Sequence, residues 1–293
     1  MRKIQSALPV VLLIATILAQ LQWPLMWDRF GISHVVVALA AASMLTHALL
    51  INALRAFAAC GAVMATAWLI ETFGVATSFP FGSYRYAVSI TYQECPRTEL
   101  CSDTARATHQ LFAIAGVPLI VLLAWFMMGY AAHMAARRMS THRWAQWAWA
   151  SLMLAAWDLY LDPQFILDPH LSHGWWQWLD PTPHLPGVPG IPLTNYFGWL
   201  LAAGIIQAVF MAALGPTRAP RGRWDVPTVF IVWTWIGGAI AVGWFLRQTP
   251  AAVWGASALA PGIVVLLRSC FRRSTDSREV LAQALLSQTR ESP

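Results

Sequence analysis

The chain has 293 residues, of which 58% are hydrophobic and only 11% are charged, with 17 Trp and a formal net charge of +6. Soluble globular domains carry about 25% charged residues, so this composition excludes an ordinary soluble domain and favours an integral membrane protein. The positive charge does not indicate a nucleic-acid partner, because the arginines fall in short clusters between apolar runs.

Eight apolar segments approach the roughly 20 residues that a membrane-spanning helix requires. They cover about residues 8–27, 32–51, 55–73, 110–131, 144–161, 196–214, 227–246 and 251–268. The first is interpreted as a retained span, and the last is interrupted by Pro261 and Gly262, which makes seven spans the alternative. We therefore predict an all-α polytopic helical bundle of about eight transmembrane helices over residues 1–275, with a short cytoplasmic tail over residues 276–293.

The distribution of basic residues predicts how this bundle is oriented. If the N-terminus is cytoplasmic, 14 of the 19 Lys and Arg residues fall on the cytoplasmic side and 5 on the outer side. Cytoplasmic loops of membrane proteins carry an excess of Lys and Arg. Both termini are therefore predicted to lie in the cytoplasm, and the bacterial cytoplasmic (inner) membrane is the expected location.

Four polar residues lie at the outer ends of their predicted spans. Glu71 is near the end of the third span, Asp158 and Asp162 close the fifth, and Asn195 begins the sixth. An ionisable side chain in the hydrocarbon costs roughly 2.5–3.5 kcal/mol and is a functional-site hypothesis by default. The two aspartates are four residues apart and so share one helix face. Burial, a second carboxyl group and the helix end all disfavour the ionised form, so at least one of the three acids should hold a proton near neutral pH.

Structural roles are the alternative interpretation of these acids. Asp162 followed by Pro163 is also a helix terminator, Asp158 can be a hydrogen bonder between helices, and Glu71 can pair with Arg85. All three being structural at once is the weaker hypothesis, and we expect Asp158 to matter more than Asp162.

Neither the histidines nor the cysteines indicate a catalytic centre. His170, His173, His184 and Asp168 lie in a segment without a regular helix to present them, so no metal site is predicted. Cys95 and Cys101 share one predicted outer loop, where a disulfide or two unpaired thiols are both compatible with the sequence.

Several short motifs, in this order and spacing, resemble the family of membrane carotenoid-biosynthesis proteins that includes the carotenoid 1,2-hydratases and the hydratases of the bacterioruberin precursor. The matching segments are residues 71–75, 80–86, 116–118, 125–128, 157–163, 176–178 and 190–199, within roughly residues 65–215. The chain departs from the family pattern in a longer loop over 88–109 and in the lack of an aromatic residue over 185–189. Both departures lie near the presumed substrate entrance and so bear on substrate identity.

The resemblance implies acid-catalysed hydration of the terminal C1=C2 double bond of an acyclic carotenoid, giving a tertiary 1-hydroxy carotenoid without a cofactor. It implies Asp158 and Glu71 as the acid–base core, Asp162 as a residue that tunes or relays the proton, and Asn195 as the residue that orients water. The expected partners are a lycopene-like or gamma-carotene-like substrate, the lipid bilayer and other enzymes of the pathway. The side chains expected to face the substrate are Trp157, Tyr160, Tyr196, Trp199 and Tyr84.

Three other functions are compatible with intramembrane acids. A carotenoid end-group cyclase also begins by protonation, but its product has the mass of the substrate. A proton-coupled transporter is less favoured, because we find no internal repeat and no corresponding pair of broken helices. A non-catalytic partner that presents substrate to another enzyme is the third.

Overall fold

A computed structural model describes residues 2–25, 29–86, 89–93, 106–110, 112–166, 175–216 and 224–290. Cys95, Cys101, Asp168, His170 and His173 lie outside the described residues. The described part contains eight α-helices: α1 Arg2–Gln22, α2 Arg29–Ile51, α3 Ala53–Thr77, α4 Leu119–Met139, α5 Arg143–Phe165, α6 Leu193–Leu214, α7 Val226–Ile240 and α8 Thr249–Arg290.

Seven of these helices are long and apolar enough to cross a membrane, all except α5. The predicted all-α polytopic membrane fold is thereby confirmed. α5 has the length of a span but carries Asp158 and Asp162 in its C-terminal half. α8 continues without a break past Pro261 to Arg290, beyond the end of the predicted last span.

The fourth helix begins later than the sequence predicted. The expected span started at residue 110, whereas α4 runs over Leu119–Met139. A hairpin of β4 (Ala113–Ile114) and β5 (Val117–Pro118) occupies the intervening residues. Its two-residue turn has positive φ at Ala115 and Gly116, which fixes an antiparallel hairpin in place of a helix.

The fifth helix ends later than predicted, because Asp162 and Pro163 do not terminate it. α5 continues to Phe165, with Pro163 inside the helix. The backbone N–H of Ile166 still bonds to the carbonyl of Asp162 at 3.0 Å, so the last turn closes despite the proline. The interpretation of Asp162 as a helix terminator is therefore wrong.

α4 is the central helix of the bundle. It packs against α2, α3, α5 and α7, and side chains on all of its faces are buried. A helix that is apolar all round is typical of such a position. α6 and α8 also contact α4, and the outer helices leave apolar side chains on the outside of the bundle, as expected for surfaces that meet lipid.

Short strands lie around the helices, and within the described residues they form two-stranded sheets. The pair that concerns the site joins β1 (Tyr84–Tyr86) to β6 (Trp176–Trp178) as an antiparallel ribbon. It links the segment after α3 to the segment after α5. The other strands are β2 Ser89–Gln93, β3 Arg106–Gln110, β7 His184–Leu185 and β8 Val188–Pro192.

A cluster of basic side chains lies at the opposite end of the bundle from Glu71. Arg138 at the end of α4 forms an ion pair of 2.9 Å with Asp225, the N-cap residue of α7. Arg137 and Arg55 donate to the carbonyls of Gly215 and Leu214 at the end of α6. These contacts tie helix ends together, and cations at the C-terminus of α6 complement its dipole.

Candidate active site

A cavity of about 230 Å³ lies at the end of the bundle where α3 and α5 end and α4 and α6 begin. Its described wall is mostly apolar and contains eight Trp residues but no Lys, Arg or His. The acids in this wall are Glu71 and Asp162, accompanied by the amide of Asn195. The cavity thus combines an aromatic lining with two separately placed carboxyl groups, and the described wall holds no basic side chain to neutralise them.

Asp158 and Asp162 are joined by a single amide group. The Nδ2 atom of Asn195 donates to an oxygen of each carboxyl group, at 2.6 Å in both cases. Asp162 also accepts a bond of 2.7 Å from the indole N–H of Trp176. Asp158 is fully buried, and its second oxygen has no hydrogen-bond partner among the described residues. The Asn195 amide therefore links Asp158 and Asp162 into one hydrogen-bonded pair.

Glu71 is held by three donors from two directions. The hydroxyls of Tyr84 and Tyr86 donate to its Oε2 at 2.6 and 2.8 Å, and the indole N–H of Trp125 donates to Oε1 at 2.8 Å. The alternative pairing with Arg85 does not occur, since that guanidinium bonds to Gln177. Burial and the neighbouring charge of Glu71 raise the pKa of both phenols well above its usual value, so they remain donors.

The β1–β6 ribbon places donors to both acid sites on one small element. Tyr86 lies opposite Trp176 in the ladder, and Tyr84 lies opposite Trp178. Side chains alternate between faces along a strand, so Tyr84 and Tyr86 point the same way while Arg85 points outward. The aromatic residues of this ribbon thus approach Glu71 and Asp162 together.

Two glycines permit the close approaches that the site needs. A Cβ atom on Gly74, three residues after Glu71, would lie 2.9 Å from the hydroxyl of Tyr84. A Cβ atom on Gly198 would lie 2.8 Å from the backbone carbonyl of Pro80. Side chains at these positions would push the turn before β1 away from α3 and α6.

The aromatic residues form a packed wall beside the acids. Trp125 and Trp199 stack with ring centroids 4.1 Å apart, and Trp157 meets Trp199 edge to face at 6.1 Å. Tyr160 lines the same cavity and donates its hydroxyl to the carbonyl of Trp235. Faces of indole rings stabilise a nearby cation.

The structure brings the predicted catalytic residues together, but not all of them line the cavity. Among the predicted catalytic residues, Glu71, Asp162 and Asn195 line the cavity, whereas Asp158 lies behind them. Among the predicted substrate-facing residues, Tyr196 is not in the cavity wall and the other four are: Tyr84, Trp157, Tyr160 and Trp199.

Sequence reasoning missed the donors Tyr86, Trp125 and Trp176. A usable signal was present, because aromatic residues alternate in both 84–86 and 176–178 with one polar residue between them. This period of two is typical of a strand with one buried face. Both segments lie between the predicted spans, where no strand is predicted.

A sequence model of the family described as carotenoid biosynthesis protein matches residues 30–94 and 109–261. The chain belongs to the carotenoid biosynthesis protein family. The matched ranges cover most of the chain and include Glu71, Asp158, Asp162 and Asn195. No curated protein and no solved structure gives a significant match. Membership therefore connects this membrane protein to carotenoid biosynthesis.

Proposed function

We propose that this member of the family hydrates the terminal C1=C2 double bond of an acyclic carotenoid and yields a tertiary 1-hydroxy carotenoid. One observation carries the proposal: two acid sites, Asp162 and Glu71, line one aromatic cavity whose described wall contains no basic side chain. Acid-catalysed hydration needs one group to give a proton and another to receive one. It requires no cofactor.

The aspartate pair is the proton donor in this proposal. Two carboxylates that share one neutral amide without a cation between them repel each other, so the pair retains one proton. Asp162 delivers that proton because it lines the cavity, and Asp158 supports it from behind through Asn195. The cavity geometry thus supports Asp162 as the acid that contacts the substrate, whereas the sequence favoured Asp158.

Glu71 is the proton acceptor in this proposal. Its three hydrogen bonds all come from donors, an arrangement that suits an ionised carboxylate. A carboxylate offers about four acceptor sites, so one remains for a water molecule. The base is thus separate from the acid pair, and the β1–β6 ribbon supplies donors to both sites.

The reaction then proceeds in two steps. The π electrons of the terminal double bond take the proton of Asp162 to form a C2–H bond, leaving a tertiary cation at C1. Trp157 and Trp199 stabilise this cation through their ring faces. Water forms the C1–O bond while Glu71 takes its proton, and the net change is the addition of one water. The proton returns from Glu71 to the aspartate pair through water before the next turnover.

The same proposal includes the orientation and the setting of the protein. The acid end faces the outside of a bacterial cytoplasmic membrane, and residues 276–293 form a cytoplasmic tail. Its support is the excess of Lys and Arg on the other side, together with Arg55, Arg137 and Arg138 at the end of the bundle opposite Glu71. Lycopene-like or gamma-carotene-like carotenoids are the proposed substrates, and other enzymes of the pathway are proposed partners.

The decisive experiment expresses the protein in cells that accumulate lycopene or another acyclic carotenoid. The pigments are separated by chromatography and their molecular masses are measured by mass spectrometry. The expected product is more polar, heavier by one water, and almost unchanged in its visible spectrum, because the hydrated bond lies outside the conjugated system. A product of unchanged mass would indicate a cyclase instead. Unaltered pigments across several acyclic substrates, with the protein present in the membrane, would reject both.

A further inference from the structure

The cavity is not sealed from the side of the bundle. Its wall includes Leu21 from α1, Ile240 from α7 and Phe245 from the helical turn that follows α7. Their side chains are nevertheless 55%, 51% and 45% exposed. A residue that both lines a cavity and faces the outside marks an opening, so the seam between α1 and α7 is where the cavity communicates with its surroundings.

The opening lies within the membrane-spanning part of both helices. Leu21 belongs to the candidate span Ala7–Leu25, and Ile240 and Phe245 belong to Val226–Phe245. The surface around it is apolar, with Leu25 and Trp244 more than three-quarters exposed. Such a surface in this part of a bundle meets acyl chains and not water.

Two features of α7 shape the seam. The turn Ala241–Phe245 is a π-helix, in which the N–H of Leu246 bonds to the carbonyl of Ala241 at 3.0 Å. π-turns insert an extra residue into a helix and frequently occur at functional sites. Deeper in the seam, Trp233 donates its indole N–H to the side-chain oxygen of Gln20 at 2.6 Å, which ties α1 to α7.

We propose that this opening, formed by Leu21, Ile240 and Phe245, is a lateral portal through which a long apolar substrate enters the cavity directly from the lipid bilayer. The chain end reaches the acids while the rest of the polyene stays in the portal and the surrounding acyl chains. This proposal rests on the proposed function only for the identity of the substrate, an acyclic carotenoid. The route itself follows from the exposed residues in the cavity wall.

The test measures access to the cavity without using catalysis. Val37 of α2 lines the cavity and is nearly buried, so Val37→Cys reports arrival of a reagent inside. N-phenylmaleimide, which partitions into lipid, is added to membranes that contain the full-length protein. Labelling of the introduced cysteine is followed by peptide mass spectrometry, which leaves the native cysteines in place.

The portal variant combines Leu21→Trp with Ile240→Trp, and its matched control combines Leu18→Trp with Ile236→Trp. All four positions are exposed apolar residues on the same two helices, but Leu18 and Ile236 do not line the cavity. We expect the portal variant to slow labelling about tenfold, equivalent to about 1.4 kcal/mol on the barrier to entry. The control should stay within about twofold of the parent, since it leaves this barrier unchanged.

Equal labelling rates in the portal variant and the parent would overturn the proposal, as would an equal slowing in the control. A membrane-impermeant charged thiol reagent that labels Val37→Cys as fast as N-phenylmaleimide would also overturn it, by indicating a route from water. Should the double variant not accumulate, Leu21→Phe and Ile240→Phe provide milder narrowing, with labelling still expected to slow. Pigment analysis is separate: slowed labelling without any hydrated product retains the portal and rejects the hydratase.

Discussion

Tyr86 and Trp176 face each other across the β1–β6 ladder, with ring centroids 6.2 Å apart, yet they serve different acids. Tyr86 donates to Glu71 at 2.8 Å, whereas Trp176 donates to Asp162 at 2.7 Å. A single cross-strand pair therefore fixes the position of the proposed base relative to the proposed acid. The geometry of the reacting centre depends on an element outside the helices that carry the acids.

Removal of either ribbon donor should weaken catalysis without unfolding the protein. A hydrogen bond to a charged group contributes about 1.5–3 kcal/mol, so we expect Tyr86→Phe to lower the rate roughly tenfold or more. Trp176→Phe removes a donor to Asp162 and should lower the rate as well. The measurement is the rate of hydrated-carotenoid formation in membranes of known protein content. Arg85→Ala, on the outward face of the same strand, is the control and should leave the rate nearly unchanged.

The two aspartates should differ in their sensitivity to substitution. Asp162→Asn removes the acid that lines the cavity, and general acid catalysis contributes about 10²–10⁴-fold, so a loss of at least about a hundredfold is expected. Asp158→Asn keeps an acid in the wall and should lose less. Product formation is compared at equal amounts of membrane-inserted protein. A larger loss in Asp158→Asn would instead return Asp158 to the leading role favoured by the sequence.

Glu71→Gln should separate substrate binding from water addition. The substitution keeps the size of the side chain but removes the group that accepts a proton from water. We expect the hydrated product to disappear while an acyclic carotenoid still co-purifies with the protein in detergent. Retention of normal hydration in this variant would exclude Glu71 as the base.

Gly74→Ala tests the close approach of Tyr84 to Glu71. The added methyl group would lie 2.9 Å from the tyrosine hydroxyl, so the hydrogen bond must lengthen and the rate should fall about tenfold. Gly61→Ala is the matched control on the same helix, because a Cβ atom at that position would meet no neighbouring group within 4 Å. The control should be neutral or slightly stabilising, since alanine is the better helix former. Thermal unfolding in detergent, measured beside activity, distinguishes a local effect from loss of fold.

The ion pair between Arg138 and Asp225 should show strong non-additivity. Removing one partner of a buried pair costs about 3–5 kcal/mol, whereas replacing both costs much less. Arg138→Met alone should therefore lower the melting temperature in detergent markedly. The double variant with Asp225→Asn should recover part of the loss, and the amide retains an acceptor for the N-cap of α7. A loss in the double variant equal to the sum of the losses in Arg138→Met and Asp225→Asn, each measured alone, would show that the pair is not coupled.

The helices and the family were predictable because both leave strong local signals. Apolar runs of about span length predicted all eight helices that the structure contains in its described part, including the fifth despite Asp158 and Asp162. The predicted start of the fourth helix was wrong because a hairpin turn at Ala115 and Gly116 occupies the apolar residues before α4. Hydropathy alone cannot distinguish an apolar hairpin from the first turns of a helix.

The site was predictable as a set of acids but not as a network. Charge in an apolar run indicated Glu71, Asp158 and Asp162, and Asn195 was grouped with them by its level in the membrane. The depth of Asp158 and the donors from Tyr86 and Trp176 depend on a pairing between distant strands, which no local pattern specifies. The catalytic roles of these residues stay predictions.

The burial of α4 also bears on how the protein is made. The ion pair between Arg138 and Asp225 forms only when α7 has been synthesised, after α5 and α6. Until then α4 lacks some of the helices that pack against it, and Arg138 lacks the carboxylate of Asp225. Chains that stop before residue 225 should therefore be recognised by membrane quality control, whereas the acids and their ribbon donors are all already present in such chains.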